Sequence, residues 1–386
     1  MRVLNVNVLL DPVTGGGTAE RTFQMSKSLA RAGAECAILT TDIGLTADRI
    51  KQLGDVRVIA LPCISRRFFV VKFSWRQLKA LVDSVDVIHL MGHWSMLNVL
   101  VTILARQTGT PYVVCPAGEL PLFGRSRWIK QLFNILIGYR IVRKAAGHIA
   151  VTPDEIPAYA RYGVEASQVT VIPNGINEAD FSVDGVSQFA DRFGLGASPF
   201  ILFMGRLNPI KGPDLLLEAF YSIAHKYAAI HLVFAGPDGG LLGLLQKMIQ
   251  ERGLADRVHF IGYVAGRDKA EAYRAADLLV IPSRQEAMSI VVLEAGIVGT
   301  PVLLTNRCGF DEVATVGGGQ VVAATANDLA VGLDSLLADR SALKGMGERL
   351  QAHVRQNFTW EVIVGRFLDL YQRILTRMSR GRAINQ

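Results

Sequence analysis

Short apolar runs rich in β-branched residues alternate with stretches of helical periodicity along the whole chain. The run RVLNVNVLL (2–10) leads into a glycine-rich loop, then a helical pattern over about Thr18 to Ala32, then the strand-like ECAILTT. VDVIHLM, YVVCPA, GHIAVT and VTVIP repeat the strand pattern. Continuous apolar runs separated by helices mark strands buried on both faces, and therefore βαβ units and a parallel sheet. Pro, Asn and Gly cluster in IPNGINEADF (172–181), which reads as a linker. After it the pattern restarts with PFILFMGRL, HLVFAG, VHFIGYV, DLLVIP and TPVLLTN. The chain is predicted to fold as α/β, with two doubly wound Rossmann-like domains facing across a cleft. The expected domains are residues 1–175 and 185–357. The last segment, 358–386, begins FTWEVIVGRFLDLYQRIL and is expected as a helix packing back toward the first domain.

Size agrees with this division, because 386 residues exceed one ordinary core. Half the residues are hydrophobic and mean hydropathy is +0.28, so large cores are within reach. No apolar run approaches the ~18 residues of a membrane-spanning helix. The N-terminal MRVLNVNVLLDP has no small-residue cleavage site and reads as a first strand, so a cytoplasmic location is expected. The cysteines Cys36, Cys63, Cys115 and Cys308 are scattered, without CxxC pairs, and read as reduced thiols. The net charge of +7 is unevenly placed. Residues 51–150 hold 14 Lys+Arg against 4 Asp+Glu, while the remainder holds 27 against 30. A basic field confined to one region marks an anionic partner: phosphate, nucleic acid or membrane surface.

Several motifs carry candidate chemistry. GGGTAERT (15–22) follows the first strand and opens a helix, where backbone N–H groups bind phosphate. Glu20 stands where the dinucleotide fingerprint needs glycine, and a plain tight turn is the other reading. In MGRLNPIKG, Arg206 and Lys211 sit five apart directly after a strand, where a loop at the carboxyl edge of a parallel sheet can aim both at a diphosphate. In SRQEAMSIVVLEAG (283–296), Glu286 and Glu294 flank an apolar helix start, and paired carboxylates accept hydrogen bonds from sugar hydroxyls. The other reading is surface charge plus one paired core glutamate. His89 ends a strand, and His93 in the following loop is the better candidate for acid/base work. The chain has no DxD and no clustered His/Asp/Glu pattern, so no metal site is expected.

Taken together these elements resemble glycosyltransferase family 4, retaining enzymes of the two-domain GT-B fold. The resemblance rests on GGGTAE, VIPNG, GRLNPIKG, FAGPDG, ADLLVIPSRQEAMSIVVLEAG and the closing FTWE, and covers nearly the whole chain. It implies a nucleoside-diphosphate sugar as donor substrate, no cofactor, and a glycan or lipid-linked acceptor. Under it Glu294 holds the ribose and Glu286 meets the donor sugar. Arg206 and Lys211 neutralise the diphosphate, with backbone groups around Met288, Ser289, Ile290 and Val291 and the Gly16–Gly17 turn completing the phosphate cradle. Met91 and Ala117 fall where relatives commonly carry histidine, leaving His93 nearby as the catalytic candidate beside Glu286. A nucleotide-sugar epimerase or a non-catalytic binding homologue on the same fold are the competing functions.

The basic excess has its own candidate. GRSRWIKQLFNILIGYRIVRK (124–144) places Trp128, Ile129, Leu132, Phe133, Leu136, Ile137 and Ile141 at helical spacing among cations. SRRFFVVK (65–72) adds arginines beside aromatics. One reading is a helix packed on its sheet. The other is a face lying on anionic membrane, in preference to nucleic acid, which would make the protein peripheral on the inner face of the membrane.

Overall fold

A computed structural model describes residues 1–66, 69–122, 127–182, 189–196 and 198–384, the last four of these by backbone alone. Arg67, Phe68 and Arg125 of the two basic segments lie outside the described residues. The chain divides into two compact units. The first is Met1–Gly175 with Trp360–Gln386, and the second is Ile176–Thr359. Among the described residues no helix is long and apolar enough to cross a membrane.

The first unit is built on β1 (Arg2–Val6), β2 (Glu35–Thr41), β3 (Arg57–Leu61), a small hairpin of β4 (Cys63–Ser65) and β5 (Val70–Val71), then β6 (Val87–Met91), β7 (Tyr112–Cys115), β8 (Gly147–Ala150) and β9 (Val169–Val171). Apart from the hairpin these form one parallel sheet in the order β3-β2-β1-β6-β7-β8-β9. Strand β1 stops at Val6 because Asn7 turns its amide onto the first helix, donating to Thr18 O and Thr22 Oγ1. That helix runs Pro12–Arg31, six residues earlier than the glycine pattern suggests. Asp11 caps its first turn through Thr14 N, and it is interrupted at Gly16, whose φ of 58° and ψ of −142° leave the helical region.

Arg21 in this helix is fully buried. Its guanidinium donates to Pro173 O, Asn174 Oδ1 and Ile172 O, each at 2.8 Å, and lies 5.5 Å from the Phe367 ring. A buried cation must be bonded, and the two terminal nitrogens of this one are bonded by the VIPNG segment. Its Nε has no hydrogen-bond partner among the described residues, and its guanidinium packs on the closing helix. Gly175 leaves room for Trp360, whose ring would stand 2.7 Å from a Cβ there. The Arg21 of AERT, the glycine of VIPNG and the tryptophan of FTWE thus belong to one structural lock within the first unit.

The second unit contains β10 (Phe200–Met204), β11 (His231–Ala235), β12 (Val258–Gly262), β13 (Leu278–Ile281), β14 (Val302–Thr305) and β15 (Gly319–Val322). They form a parallel sheet ordered β12-β11-β10-β13-β14-β15. Strand β10 has chain-adjacent β11 on one side and β13 on the other, so the loops leaving β10 and β13 part to opposite faces and open a crevice at the carboxyl edge. Its floor is tight. A Cβ on Gly236 would lie 1.9 Å from Gly205 O, and Leu207 N donates to Pro237 O while Gly239 N donates to Leu207 O. Gly236→Ala is therefore expected to cost about 2 kcal/mol or more, because backbone and not a flexible side chain must yield. Urea denaturation of this unit's transition measures it, and an unchanged midpoint would contradict the close approach.

Candidate active site

The loop after β10 carries Arg206 and Lys211 and is fixed from several sides. Asn208 Oδ1 accepts from Lys211 N at 2.9 Å, and Gly212, at φ 68°, passes so close to Pro282 O that a Cβ would clash at 2.2 Å. Arg284 ties this loop to the one after β13. Its backbone N donates to Ile210 O, and its guanidinium donates to Pro209 O and pairs with Asp214 at 2.6 Å. The result brings Lys211 and Glu286 together, with Nζ and Oε2 2.9 Å apart. Glu286 is almost buried and Lys211 is one-third exposed. Ser283 Oγ donates to Glu286 Oε1, and Glu286 N donates to Arg307 O. A carboxylate and a cation are thus held at the lip of the crevice by two neighbouring loops. The aliphatic part of Arg206 lies across Gly239, where a Cβ would come within 2.7 Å of its Cγ.

The Ile290–Val298 helix begins at the same edge. Apart from Glu294 it is apolar all round, and it is buried from Val292 to Ile297, which explains why no solvated face interrupts the sequence here. Ser289 is its N-cap but makes no side-chain cap bond. Its backbone N instead donates to Cys308 O, while its buried Oγ has no hydrogen-bond partner among the described residues. Of the four residues expected in a phosphate cradle, Ser289 therefore has its amide committed elsewhere. Ile290 and Val291 open the first turn, where amide groups lack intrahelical acceptors. Met288 is buried just before it.

Glu294, buried one turn into the helix, is placed differently from Glu286. Lys269 Nζ donates to its Oε1 at 2.7 Å and Tyr273 OH to its Oε2 at 2.6 Å. Lys269 also stands 5.2 Å over the Phe181 ring. Burial, reinforced by the Glu294 charge, pushes the Tyr273 hydroxyl well above its ordinary range, so its proton stays on. Neither Lys269 nor Tyr273 emerged from the sequence. Their four-residue spacing on the Gly266–Ala275 helix was the available signal, because it places both on one face.

In the first unit, the break at Gly16 and the exposed Gly17 lie in the helix that follows β1, and His93 lies in the loop after β6, the neighbouring strand. His93 is only 3% exposed and is packed edge-on by Trp94, Phe133 and Tyr162. Tyr162 OH donates to Leu120 O, so it accepts from Asn134 Nδ2, which turns Asn134 Oδ1 toward His93 Nε2 at 2.9 Å. The chain of donors puts the imidazole proton on Nε2 and leaves Nδ1 as the basic nitrogen. Burial lowers the ring to about 4, so it is neutral at physiological pH. Glu119 Oε2 accepts from His93 N at 2.6 Å, and burial raises this carboxyl. Between these loops Ala117 adopts a left-handed φ of 50°, rare for a residue with a Cβ and found where surrounding structure enforces it. His89, by contrast, is sealed, with Nδ1 2.7 Å from Tyr371 OH.

Family comparisons match both units. Residues 188–353 match the model described as "Glycosyl transferases group 1", and residues 16–175 match "Glycosyl transferase 4-like domain". The chain belongs to the group 1, family 4 type of glycosyltransferases. Over 63% of its length it is 30% identical to a D-inositol 3-phosphate glycosyltransferase of Nocardia farcinica, of which it covers 56%. It spans just over half the length of several such relatives, and of a mannosylfructose-phosphate synthase of Agrobacterium fabrum. An uncharacterized glycosyltransferase of Methanocaldococcus jannaschii is matched end to end, at 26% identity over 98% of this chain and 100% of that one. The Anabaena protein HepE, solved in complex with UDP-glucose, superposes with a TM-score of 0.78 at 20% identity, covering 98% of this glycosyltransferase and 100% of that chain. That likeness establishes the GT-B fold of two Rossmann-like domains.

Proposed function

We propose that this glycosyltransferase is a retaining enzyme that moves a hexosyl unit from a nucleoside-diphosphate sugar to a lipid-linked or polysaccharide-precursor acceptor. The observation that carries the reading is the Lys211–Glu286 pair at the switch point of the second unit. Residues 185–357 bind the donor and residues 1–175 the acceptor, with segment 358–386 completing the latter. The UDP-glucose bound by HepE supports a donor of this class.

In the reaction the bond from the anomeric carbon to the diphosphate breaks, and charge grows on the departing oxygen. We assign Lys211 and Arg206 to receive that charge, together with the first turn after Ser289. The acceptor oxygen joins the same face of the sugar, and its proton passes to the departing phosphate. Glu286 orients the sugar hydroxyls, with one oxygen already engaged by Ser283. Glu294 holds the ribose. Because Lys269 and Tyr273 occupy both its oxygens, the ribose shares or displaces the lysine contact. His93 offers Nδ1, not a proton, as hydrogen-bond acceptor to a hydroxyl of the acceptor substrate other than the reacting one.

The cations also support transfer without a divalent ion. Titration of the bound nucleoside diphosphate is expected to give the same affinity with and without EDTA, and a large loss in EDTA would contradict this part of the proposal. Acceptor-dependent release of nucleoside diphosphate separates the transferase from a non-catalytic homologue or an epimerase.

A further inference from the structure

The segment expected to carry one apolar stripe carries two. Helical residues Arg127–Phe133 continue through a π-helical turn, Asn134–Gly138, into Tyr139–Arg143. Phe133, Ile137 and Ile141 face inward and pack on the first unit's core. Spacing of four drifts by about 40° per step on an ordinary α-helix. The wider π turn absorbs that drift and also points Asn134 inward to His93. The second stripe points out. Trp128 is 70% exposed, Leu132 48%, Ile135 66% and Leu136 68%. These are positions i, i+4, i+7 and i+8 of one helix face.

Four large apolar side chains on two turns need a cover. The surrounding charge says of what kind. From residue 120 to residue 153 the sequence has no Asp or Glu, while Arg127, Arg140, Arg143 and Lys144 are exposed on the same segment. A nucleic-acid groove would pair such cations with polar or stacking groups, whereas aliphatic side chains facing outward beside an indole match an acyl-chain boundary. We propose that this face, Trp128, Leu132, Ile135 and Leu136 with its cationic rim, docks on an anionic lipid membrane, the apolar side chains entering the headgroup boundary and the cations meeting the lipid phosphates. This does not depend on which sugar is transferred, or on transfer at all.

The test uses the full chain and vesicles of phosphatidylcholine, alone or with about one third phosphatidylglycerol. Co-sedimentation is expected with the anionic vesicles, to fall steeply in high salt, and to be weak with the neutral ones. The combined variant Trp128→Ser, Leu132→Ser, Ile135→Ser, Leu136→Ser should weaken anionic binding about tenfold or more while keeping its circular-dichroism spectrum and melting midpoint, because none of the four is buried. Arg127→Gln with Arg140→Gln and Lys144→Gln should weaken it at low salt. Absence of binding, equal binding to neutral vesicles, or full binding by the four-serine variant would overturn the proposal. So would lipid-free self-association that the four-serine variant abolishes, which would assign the face to a second copy of the chain.

Discussion

Lys211→Ala is expected to lower sugar transfer by two orders of magnitude or more. Loss of a group that meets charge as it develops costs about 3 kcal/mol or more. The geometry adds a second reason, because Lys211 Nζ lies 2.9 Å from Glu286 Oε2 and its removal leaves a nearly buried carboxylate without its cation. The two effects separate in a double-mutant cycle. If Lys211 acts on the leaving group, Lys211→Ala lowers transfer severely again in a Glu286→Gln background, relative to Glu286→Gln alone. If it serves only to neutralise Glu286, it causes little further loss in that background. A loss below about threefold in the single variant would make both loop cations ordinary solvated charges.

The two carboxylates are expected to fail in different ways. Glu294→Ala should weaken binding of the bare nucleoside diphosphate, since ribose contacts hold ground and transition states alike. Its surroundings sharpen the expectation, because the buried Tyr273 OH loses its acceptor and the partly exposed Lys269 Nζ loses its ion-pair partner. Glu286→Ala should leave nucleotide affinity nearly intact and reduce turnover by about a hundredfold, because its partner is the sugar being transferred. Steady-state kinetics combined with nucleotide titration distinguish these outcomes. Equal loss of nucleotide affinity in both variants would remove the separation of roles.

The fold was legible because parallel strands covered on both faces are written as continuous apolar runs, and both sheets consist of such runs. That Arg206, Lys211 and Glu286 lie in loops leaving the carboxyl ends of strands, with Glu294 in the helix that follows, was legible from the strand pattern, and loops of that kind are where such folds bind ligands. What stayed hidden was decided by packing between distant segments. The start of the first helix was misplaced because three glycines read as loop, whereas Asp11 caps a turn that begins at Pro12 and breaks only at Gly16. Arg21 looked like part of a phosphate motif, yet its partners are carbonyls about 150 residues away in sequence. Lys269 and Tyr273 could not be tied to Glu294 without knowing that two helices meet. The apolar stripe at 128–141 was read as one face, and only the π turn shows that its residues divide between core and solvent.

The central claim is that the second unit's switch point binds a nucleoside-diphosphate sugar through Lys211 and Glu294. A thermal-shift panel of UDP-, GDP- and ADP-sugars against the wild-type chain, Lys211→Ala and Glu294→Ala tests it most directly. One nucleotide series is expected to stabilise the wild type in a concentration-dependent way, with the stabilisation greatly reduced in both variants. No stabilisation by any series, or equal stabilisation of the variants, would contradict it.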